Sequence, residues 1–412
     1  MAEAKTASDP KTPTKPLPLD GIRVLDVSQV MAGPFCSMLL GDMGADVIKI
    51  EPPDGGDQTR RAMSFKPKGN DSLGFFNLNR NKRSMTLNLK SRAARDVFHR
   101  LVQTADVVIE NYRPGVTQRL GIDYETLKAI NPRLVYASIS GFGQTGPWSQ
   151  RPGFDLIAQA MGGVMSITGH PDGPPTKSGV PVSDIGAALF ATYGILSALL
   201  GRAQTGRGQW VDASLFESAL AFSIWDISEY WGTGRVPTPL GTANRFSAPY
   251  QAVRAKDGYF VLGANNAKLW KKLCEVIERP DLLADGRFTT IAARLGNRLE
   301  LIAEMEKSLA HRTAGEWIEL LLAAGIPVGP ILNYAQALDN EHARARGAVM
   351  EIDHPVEGKI KSIGFPVKLS ETKQRVRRAP PLLGQHTEEI LSELGLDSRR
   401  REELRAAGAF AP

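Results

Sequence analysis

A carboxylate at the junction of two sequence textures is the first place where chemistry can be sought. Asp184 lies in GVPVSDIGAALFATYGILSALL, where a polar, Gly/Pro-rich approach meets an apolar helical run. Two readings stand side by side. As a helix N-cap it would satisfy one of the four orphan N–H groups of the first turn, contributing about 1 kcal/mol. As a nucleophile it would be kept ionised by the same helix N-terminus and aimed into a cleft, where a carboxylate can attack an activated acyl group. Both hold only if different oxygens serve cap and chemistry.

Upstream, SISGFGQTGPWSQRPGFDLIAQAMGGVMSITG carries Gly141, Gly143, Gly146, Gly153, Gly162, Gly163 and Gly169. Such density permits close backbone approach, either for the loop's own geometry or around a ligand. Asp155 within it could bring charge to a site or cap locally beside Gly153. His170, between Gly169 and Pro171, reads as surface loop rather than general base. Arg60, Lys82, Arg83 and Arg119 are expected in or beside loops that follow strands. Singly each reads as a solvated surface charge, whereas together they could meet three phosphates.

The elements that must position these residues follow from periodicity. Residues 22–27 form a short β-rich run, Gly33-Pro34 opens a helix through Met43, and residues 45–50 are a second apolar strand. The cadence recurs as a helix over 92–103, a strand over 106–109, a helix over 123–130 and a strand over 134–138. Apolar strands alternating with helices imply an α/β domain whose mostly parallel sheet is covered on both faces, with ligands bound beyond the strands' carboxyl ends. The first strand–helix–strand unit, ending in Glu51, imitates a nicotinamide site. Its turn is SQVMAGP rather than GxGxxG, so a pyrophosphate cannot approach the helix backbone in the usual way. Further on, SAPYQAVRAKDGYFVLGANN reads as a hairpin turning at Lys256-Asp257-Gly258, followed by helices. This marks an inserted second domain, after which IPVGPILNYAQAL returns toward the first.

Composition bounds the rest. The chain has 412 residues, 42% hydrophobic and 23% charged, which excludes a disordered scaffold. Cys36 and Cys274 are the only cysteines and stand far apart, which excludes a disulfide framework, a CxxC redox pair and a cysteine zinc cluster. A reducing, cytoplasmic location is expected. The 6 histidines are scattered without HExxH, so no metal site is expected. Lys plus Arg exceed Asp plus Glu by 50 − 44 = 6, too few and too evenly spread for a nucleic-acid footprint. The apolar run over 185–200 is interrupted by Thr192, Tyr193 and Ser197 and falls short of the roughly 20 residues that cross a bilayer, so no membrane partner is expected. Residues 1–18 lack an apolar core and are expected to form a disordered tail rather than a targeting signal.

The segments are recognisable together. VLDVSQVMAGPFCSMLLGDMGADVIKIE, NRNKRSMTLNLK, ADVVIENYRPGVTQRLG, NPRLVYASISGFGQTGP, VSDIGAALFATYGILSALLGRAQTGRGQWVDASLFESAL and APYQAVRAKDGYFVLGANN resemble the family III CoA-transferases, the formyl-CoA transferase and CaiB/BaiF group, over about residues 19–386. The resemblance implies an interlocked homodimer whose subunits have a Rossmann-like large domain made from both chain ends (residues 19–230 and 331–412) and a smaller α+β middle domain (residues 231–330). It implies that coenzyme A is substrate and product, that Asp184 is the nucleophile, and that aspartyl anhydride and aspartyl-CoA thioester intermediates carry the transfer. Gln29, Met31 and Ala32 match positions at the CoA thiol arm, Asn111 and Arg119 match positions that approach CoA, and Lys82 and Arg83 resemble a basic pair near its phosphates. Arg60 joins the same cationic set.

Departures from the pattern narrow the reading. Gln29 and Met31 stand where formyl-CoA transferases have histidine and glutamine, which argues against formyl or oxalyl specificity. Pro52 stands where those enzymes often place an arginine against adenine. Acyl-CoA racemases of this fold use a histidine in GHD; RPGFD places Phe154 there, and a phenyl ring cannot take or return an α-proton. A racemase and a noncatalytic CoA-binding regulator are the alternatives. APYQAVRAKDGY, IPVGPI and RAPPLLGQHT look nearest to members acting on small dicarboxylates such as succinate and glutarate. The glycine-bearing segment at residues 263–266 is a candidate mobile cover or an ordinary strand-end turn.

Overall fold

A computed structural model describes residues 15–61 and 68–410. Of the tail expected over 1–18, residues 1–14 lie outside the described residues, while Leu17 is buried. The chain divides into two compact units, one built from residues 1–162, 180–222 and 344–412, the other from 163–179 and 223–343.

The first unit is organised by β1 (Arg23–Asp26), β2 (Asp46–Glu51), β3 (Lys82–Thr86), β4 (Val107–Glu110), β5 (Val135–Ser140) and β6 (Trp210–Ser214). They form one parallel sheet in the order β3-β2-β1-β4-β5-β6. Both faces are covered, which is why VVIE and VYASIS are buried at every position. On one face the helix Arg92–Val102 buries Ala94, Val97, Phe98, Leu101 and Val102, a 3.6-residue stripe. Ile390, Leu391 and Leu404 from the last two helices enter the same core, so the chain's end closes the unit. Each such side chain stabilises by about 1.5–3 kcal/mol on burial.

On the other face lies the helix Val182–Thr205, which turns a stripe of small residues, Ala187, Ala188, Ala191 and Ala198, toward β5, β6 and the helix Ala32–Asp42. It runs 24 residues, longer than expected, and by length and composition alone could cross a bilayer. Here it packs on the sheet and stops at Gly206, whose φ of 72° supplies the left-handed C-cap that favours glycine. Its other face leaves Leu189, Phe190, Tyr193, Leu196 and Leu200 exposed.

β3 corrects one expectation. KRSMT carries two cations and no apolar run, and Lys82 and Arg83 were expected in loops; they lie on a fully buried strand at the sheet edge. Lys82 Nζ donates to Asp26 Oδ2 at 3.1 Å, Asn79 Oδ1 at 2.8 Å and the Pro34 carbonyl at 2.9 Å. Burial, only partly offset by Asp26, pushes its pKa down to about 8. Arg83 is spent on Asp46, Glu389 and Glu393.

The second unit holds β7 (Tyr250–Arg254), β8 (Tyr259–Gly263) and β9 (Val328–Pro330) in one antiparallel sheet, with β7 and β8 forming the hairpin that the Lys256-Asp257-Gly258 turn predicts. Its core gathers Val253, Phe260, Leu273, Leu301 and Trp317. Its boundaries differ from the expected 231 and 330. Residues 223–230 belong to it, because Arg245 pairs with Asp226 and Glu229 on the helix Ile224–Thr233. Residues 331–343 also stay with it, since VGP adds a strand beside β8 rather than returning to the first unit. Residues 163–179 join it through Gly241 N–H, which donates to the Gly169 carbonyl at 2.8 Å. A final hairpin, β10 (Val349–His354) and β11 (Gly358–Ile363), buries Ile352 and Ile360 against Phe75 and Phe76 of the first unit.

Candidate active site

The strand order reverses between β1 and β4, and in open parallel sheets a crevice opens beyond the strands' carboxyl ends at such a point. A cavity of about 370 Å³ occupies it here, lined by Gln29, Met31 and Ala32 after β1, Asn111, Tyr112 and Arg113 after β4, Ser140 at the end of β5 and Gly141 after it, and Phe154 and Asp184. A second cavity of about 450 Å³ shares Gln29, Tyr112 and Val116 with the first and runs out past Pro52, Asn88, Lys90 and Arg119. The two cavities adjoin across that shared wall, one lined by exposed cations and the other by one half-buried carboxylate.

The turn after β1 is held from every side. Gln29 N–H donates to Asn111 Oδ1 at 2.9 Å, and Asn111 Nδ2 returns a bond to the Gln29 carbonyl at 2.7 Å. Val30, at φ 69°, is a β-branched residue in the left-handed region, a strain of about 1–3 kcal/mol. Its N–H is fastened to Asp57 Oδ1 at 3.1 Å, and Asp57 is paired with the fully buried Lys49 at 2.9 Å. Lys49 Nζ also donates to the Ser28 carbonyl at 3.0 Å. Gly33 must be glycine, since a Cβ there would meet Ser28 Cβ at 2.2 Å. Asn111 thus acts on the site by shaping the Gln29 backbone.

Asp184 sits in the first turn of Val182–Thr205, but it is not the N-cap. Pro181 holds that position without a side-chain bond, and the Ser183 N–H is taken by Asp155 Oδ1 at 2.9 Å. The Asp184 carboxyl accepts no hydrogen bond from the described residues. Burial first, and the Asp155 carboxylate second, push its pKa up to about 6. An unbonded carboxylate of raised basicity facing a cavity is suited to nucleophilic attack.

Of the expected cation set, only Arg119 lines these two cavities. Arg60 is 2% exposed and its Nε and Nη2 fork onto Glu51 at 2.8 Å each, while Nη1 donates to Asp71 at 2.7 Å. Like Lys82 and Arg83, it neutralises internal carboxylates and has no charge to spare for a phosphate. The same fork occupies Glu51, which removes any ribose-binding role. Lys90 and Arg113, which sequence reasoning passed over, line the two cavities instead. The signal for both was position just past a parallel strand; for Lys90 that required seeing β3. Phe154 is 70% exposed and lines the cavity that holds Asp184, an apolar wall that can transfer no proton. Residues 263–266 form a strand-to-helix junction: Gly263 closes β8 opposite Tyr250, and Asn266 caps the helix Ala267–Val276 by accepting from Leu269 N–H at 2.9 Å.

A family model described as CoA-transferase family III matches residues 19–387. The chain is 40% identical over 396 residues to succinyl-CoA:glutarate CoA-transferase of Mus musculus, covering 95% of this chain and 90% of that protein. It is 43% identical over 361 residues to acetyl-CoA:oxalate CoA-transferase of Acetobacter aceti, covering 87% and 91%. The crystal structure of a CAIB/BAIF family protein from Brucella suis superposes with a TM-score of 0.82 at 37% identity, covering 92% of this chain and 100% of that one. The chain belongs to CoA-transferase family III. This transferase moves CoA between acyl-CoA donors and small carboxylic or dicarboxylic acids, with CoA as a carried group. Its parallel sheet and smaller α+β unit are those of the family, and catalysis displaces the reading of a noncatalytic regulator.

Proposed function

We propose that Asp184 is the nucleophile, that the CoA moiety follows the path from Arg119 and Lys90 past Gln29 and Met31 to the Asp184 carboxyl, and that succinyl-CoA donates to a small dicarboxylate. The observation that carries this reading is Asp184's unbonded carboxyl in a cavity that adjoins one lined by cations. In the first step an Asp184 oxygen bonds to the donor acyl carbon and the C–S bond breaks, its electron pair leaving on the CoA thiolate. The thiolate then attacks the aspartyl carbonyl of the anhydride, releasing the donor carboxylate and leaving an aspartyl-CoA thioester. The acceptor carboxylate attacks that thioester to form a new anhydride and thiolate, and the thiolate takes the acceptor's acyl carbon, restoring Asp184. Activation is conserved as thioester or anhydride throughout, provided water is excluded.

The dicarboxylate assignment rests on the relatives' glutarate and oxalate acceptors and on the motif likeness of the chain. Because one relative acts with oxalate, oxalate belongs among the acceptors tested despite Gln29 and Met31. The exposed apolar face of Val182–Thr205 supports a homodimer as the working unit: Leu189, Phe190, Tyr193, Leu196 and Leu200 form a contiguous patch of the kind that marks an interface. The buried free thiols of Cys36 and Cys274 are compatible with a reducing, cytoplasmic setting.

Mass spectrometry of acyl-CoA products across pairs of donors and acceptors in deuterated water tests the assignment. New CoA thioesters of C4 to C6 dicarboxylic acids are expected from succinyl-CoA, without deuterium at the α-carbon. Preference for long apolar or aromatic acids would overturn the substrate class, and rapid α-deuteration without an acceptor would favour the racemase.

Acid dependence follows from the raised pKa. Protonated Asp184 cannot attack, so kcat/KM for the donor is expected to be level above about pH 6 and to fall as pH drops through it, tenfold per unit well below.

A further inference from the structure

We propose that Asp155 is a positioning residue for the transfer. Its carboxylate clamps the first turn of the helix bearing Asp184 and, as a second negative charge beside that side chain, favours the acylated, neutral form of Asp184 over the free carboxylate. The inference rests on Asp184 being the nucleophile.

The clamp is geometric. Pro181 at the N-cap has no side-chain acceptor to offer, and a helix start leaves its first N–H groups unpartnered. Asp155 supplies the missing acceptor from another helix, Asp155–Met161, taking Ser183 N–H on Oδ1 at 2.9 Å. Its other oxygen accepts from Gln159 Nε2 at 2.7 Å, and Gln159 is fully buried. Both carboxylate oxygens are therefore fixed, and the residue after Ser183 is Asp184 itself. Phe154, the neighbour of Asp155, lines the cavity that holds Asp184.

The charge argument uses the same contact. Besides Asp155, elements packed against the Asp184 helix carry Cys36, Asp42, Tyr136, Asp212 and Glu217 as their ionisable groups, and the cavity wall adds Tyr112 and Arg113. Beyond burial, the one charge that raises Asp184's affinity for a proton is Asp155. Acylation discharges Asp184 as protonation does: the Oδ–C bond forms, the C–S bond breaks, and the negative charge leaves with the sulfur. Whatever disfavours the anion on Asp184 thus favours the anhydride and the thioester formed there. In this view Asp155 makes Asp184 more basic and its covalent forms more populated, and holds the backbone in place while the charge comes and goes.

Asp155→Asn keeps an acceptor oxygen for Ser183 N–H and removes the charge, at the cost of turning its NH2 to Gln159, whose side-chain amide must flip to accept from it. Two readings separate tuning from simple support: the acid limb of kcat/KM against pH, and the fraction of the Asp184 peptide found acylated by mass spectrometry after quenching enzyme mixed with succinyl-CoA alone. The expected result is an acid limb lower by about one pH unit and a several-fold smaller acylated fraction at pH 7, with a smaller loss of melting temperature than in Asp155→Ala. Asp155→Ala, which removes clamp and charge together, should move the limb the same way and lower kcat and melting temperature as well. Limb position does not depend on how much protein is folded, so the second variant remains informative if the first is unstable. A limb that stays at the wild-type position in both variants, or an unchanged acylated fraction, overturns the proposal. Glu110, buried under Tyr112 with a pKa raised to about 7, is the competing source of a limb; the neighbouring charge that acts on it is Asp212, so a limb it carried would not respond to Asp155. Wild-type enzyme that shows no label on the Asp184 peptide would instead defeat the nucleophile assignment.

Discussion

Asp184→Asn is expected to abolish turnover, lowering kcat by about 10⁴-fold or more, with loss of any acylated form of the peptide carrying residue 184. The amide cannot open the covalent route, and among the described residues no other carboxylate lines that cavity. Folding should survive. Asp184 caps nothing, because Ser183 N–H is held by Asp155, and its carboxyl accepts no hydrogen bond from the described residues. The sign of the stability change follows from linkage. A carboxyl whose folded pKa is raised to about 6 disfavours the folded state once the pH exceeds its unfolded value, so at pH 7 the neutral amide is expected to leave melting temperature equal or slightly higher. Melting curves and product mass spectra on the same preparation check both halves; substantial remaining transfer would remove Asp184 from the mechanism.

Arg60→Met is expected to destabilise the first unit by about 3–5 kcal/mol, read as a lower urea midpoint for its unfolding, while KM for the acyl-CoA donor changes by less than about twofold. Glu51 is 1% exposed and accepts both arms of the Arg60 fork, together with Asp57 N–H and Ser84 Oγ–H. Burial would raise the Glu51 pKa, but the Arg60 guanidinium outweighs it and holds the group below the usual carboxylate value. That stabilisation is present above the unfolded pKa and fades as pH falls through the folded one. In the variant burial is opposed only by Lys49, Ser84 and the Asp57 N–H, so the deficit relative to wild type should narrow as pH falls. A raised KM with strong salt dependence and unchanged stability would instead make Arg60 a phosphate ligand. Because Asp57 also fastens Val30, some loss of kcat should accompany the loss of stability.

These two residues show how far sequence pattern reaches. Alternation of apolar strands with amphipathic helices predicts β1, β2, β4 and β5, and Gly33-Pro34 predicts the helix after β1. Such elements are specified within ten or so residues, so local text suffices. β3 was illegible because KRSMT is charged, and its burial depends on partners far away: Arg83 meets Glu393 and Ser84 N–H donates to His386 Nδ1. The same distance hid the carboxylates that pair Arg60, Lys82 and Arg83. The boundaries of the second unit were displaced for a related reason, since Arg245 and β9 commit their neighbours through contacts that no composition shift announces.

By itself the sequence determined the α/β class and the family and put Asp184 forward as the carboxylate to test, because these are carried by contiguous motifs whose residue types survive being read one after another. Only the tertiary structure decided which charges are free. A cation is available to a ligand when no buried carboxylate claims it, and that is a question of what lies within about 3 Å in space. It set Arg119, Lys90 and Arg113 along the two cavities, paired Arg60, Lys82 and Arg83 with carboxylates, and drew the side-chain acceptor for the first turn of the Asp184 helix from Asp155 rather than from Asp184.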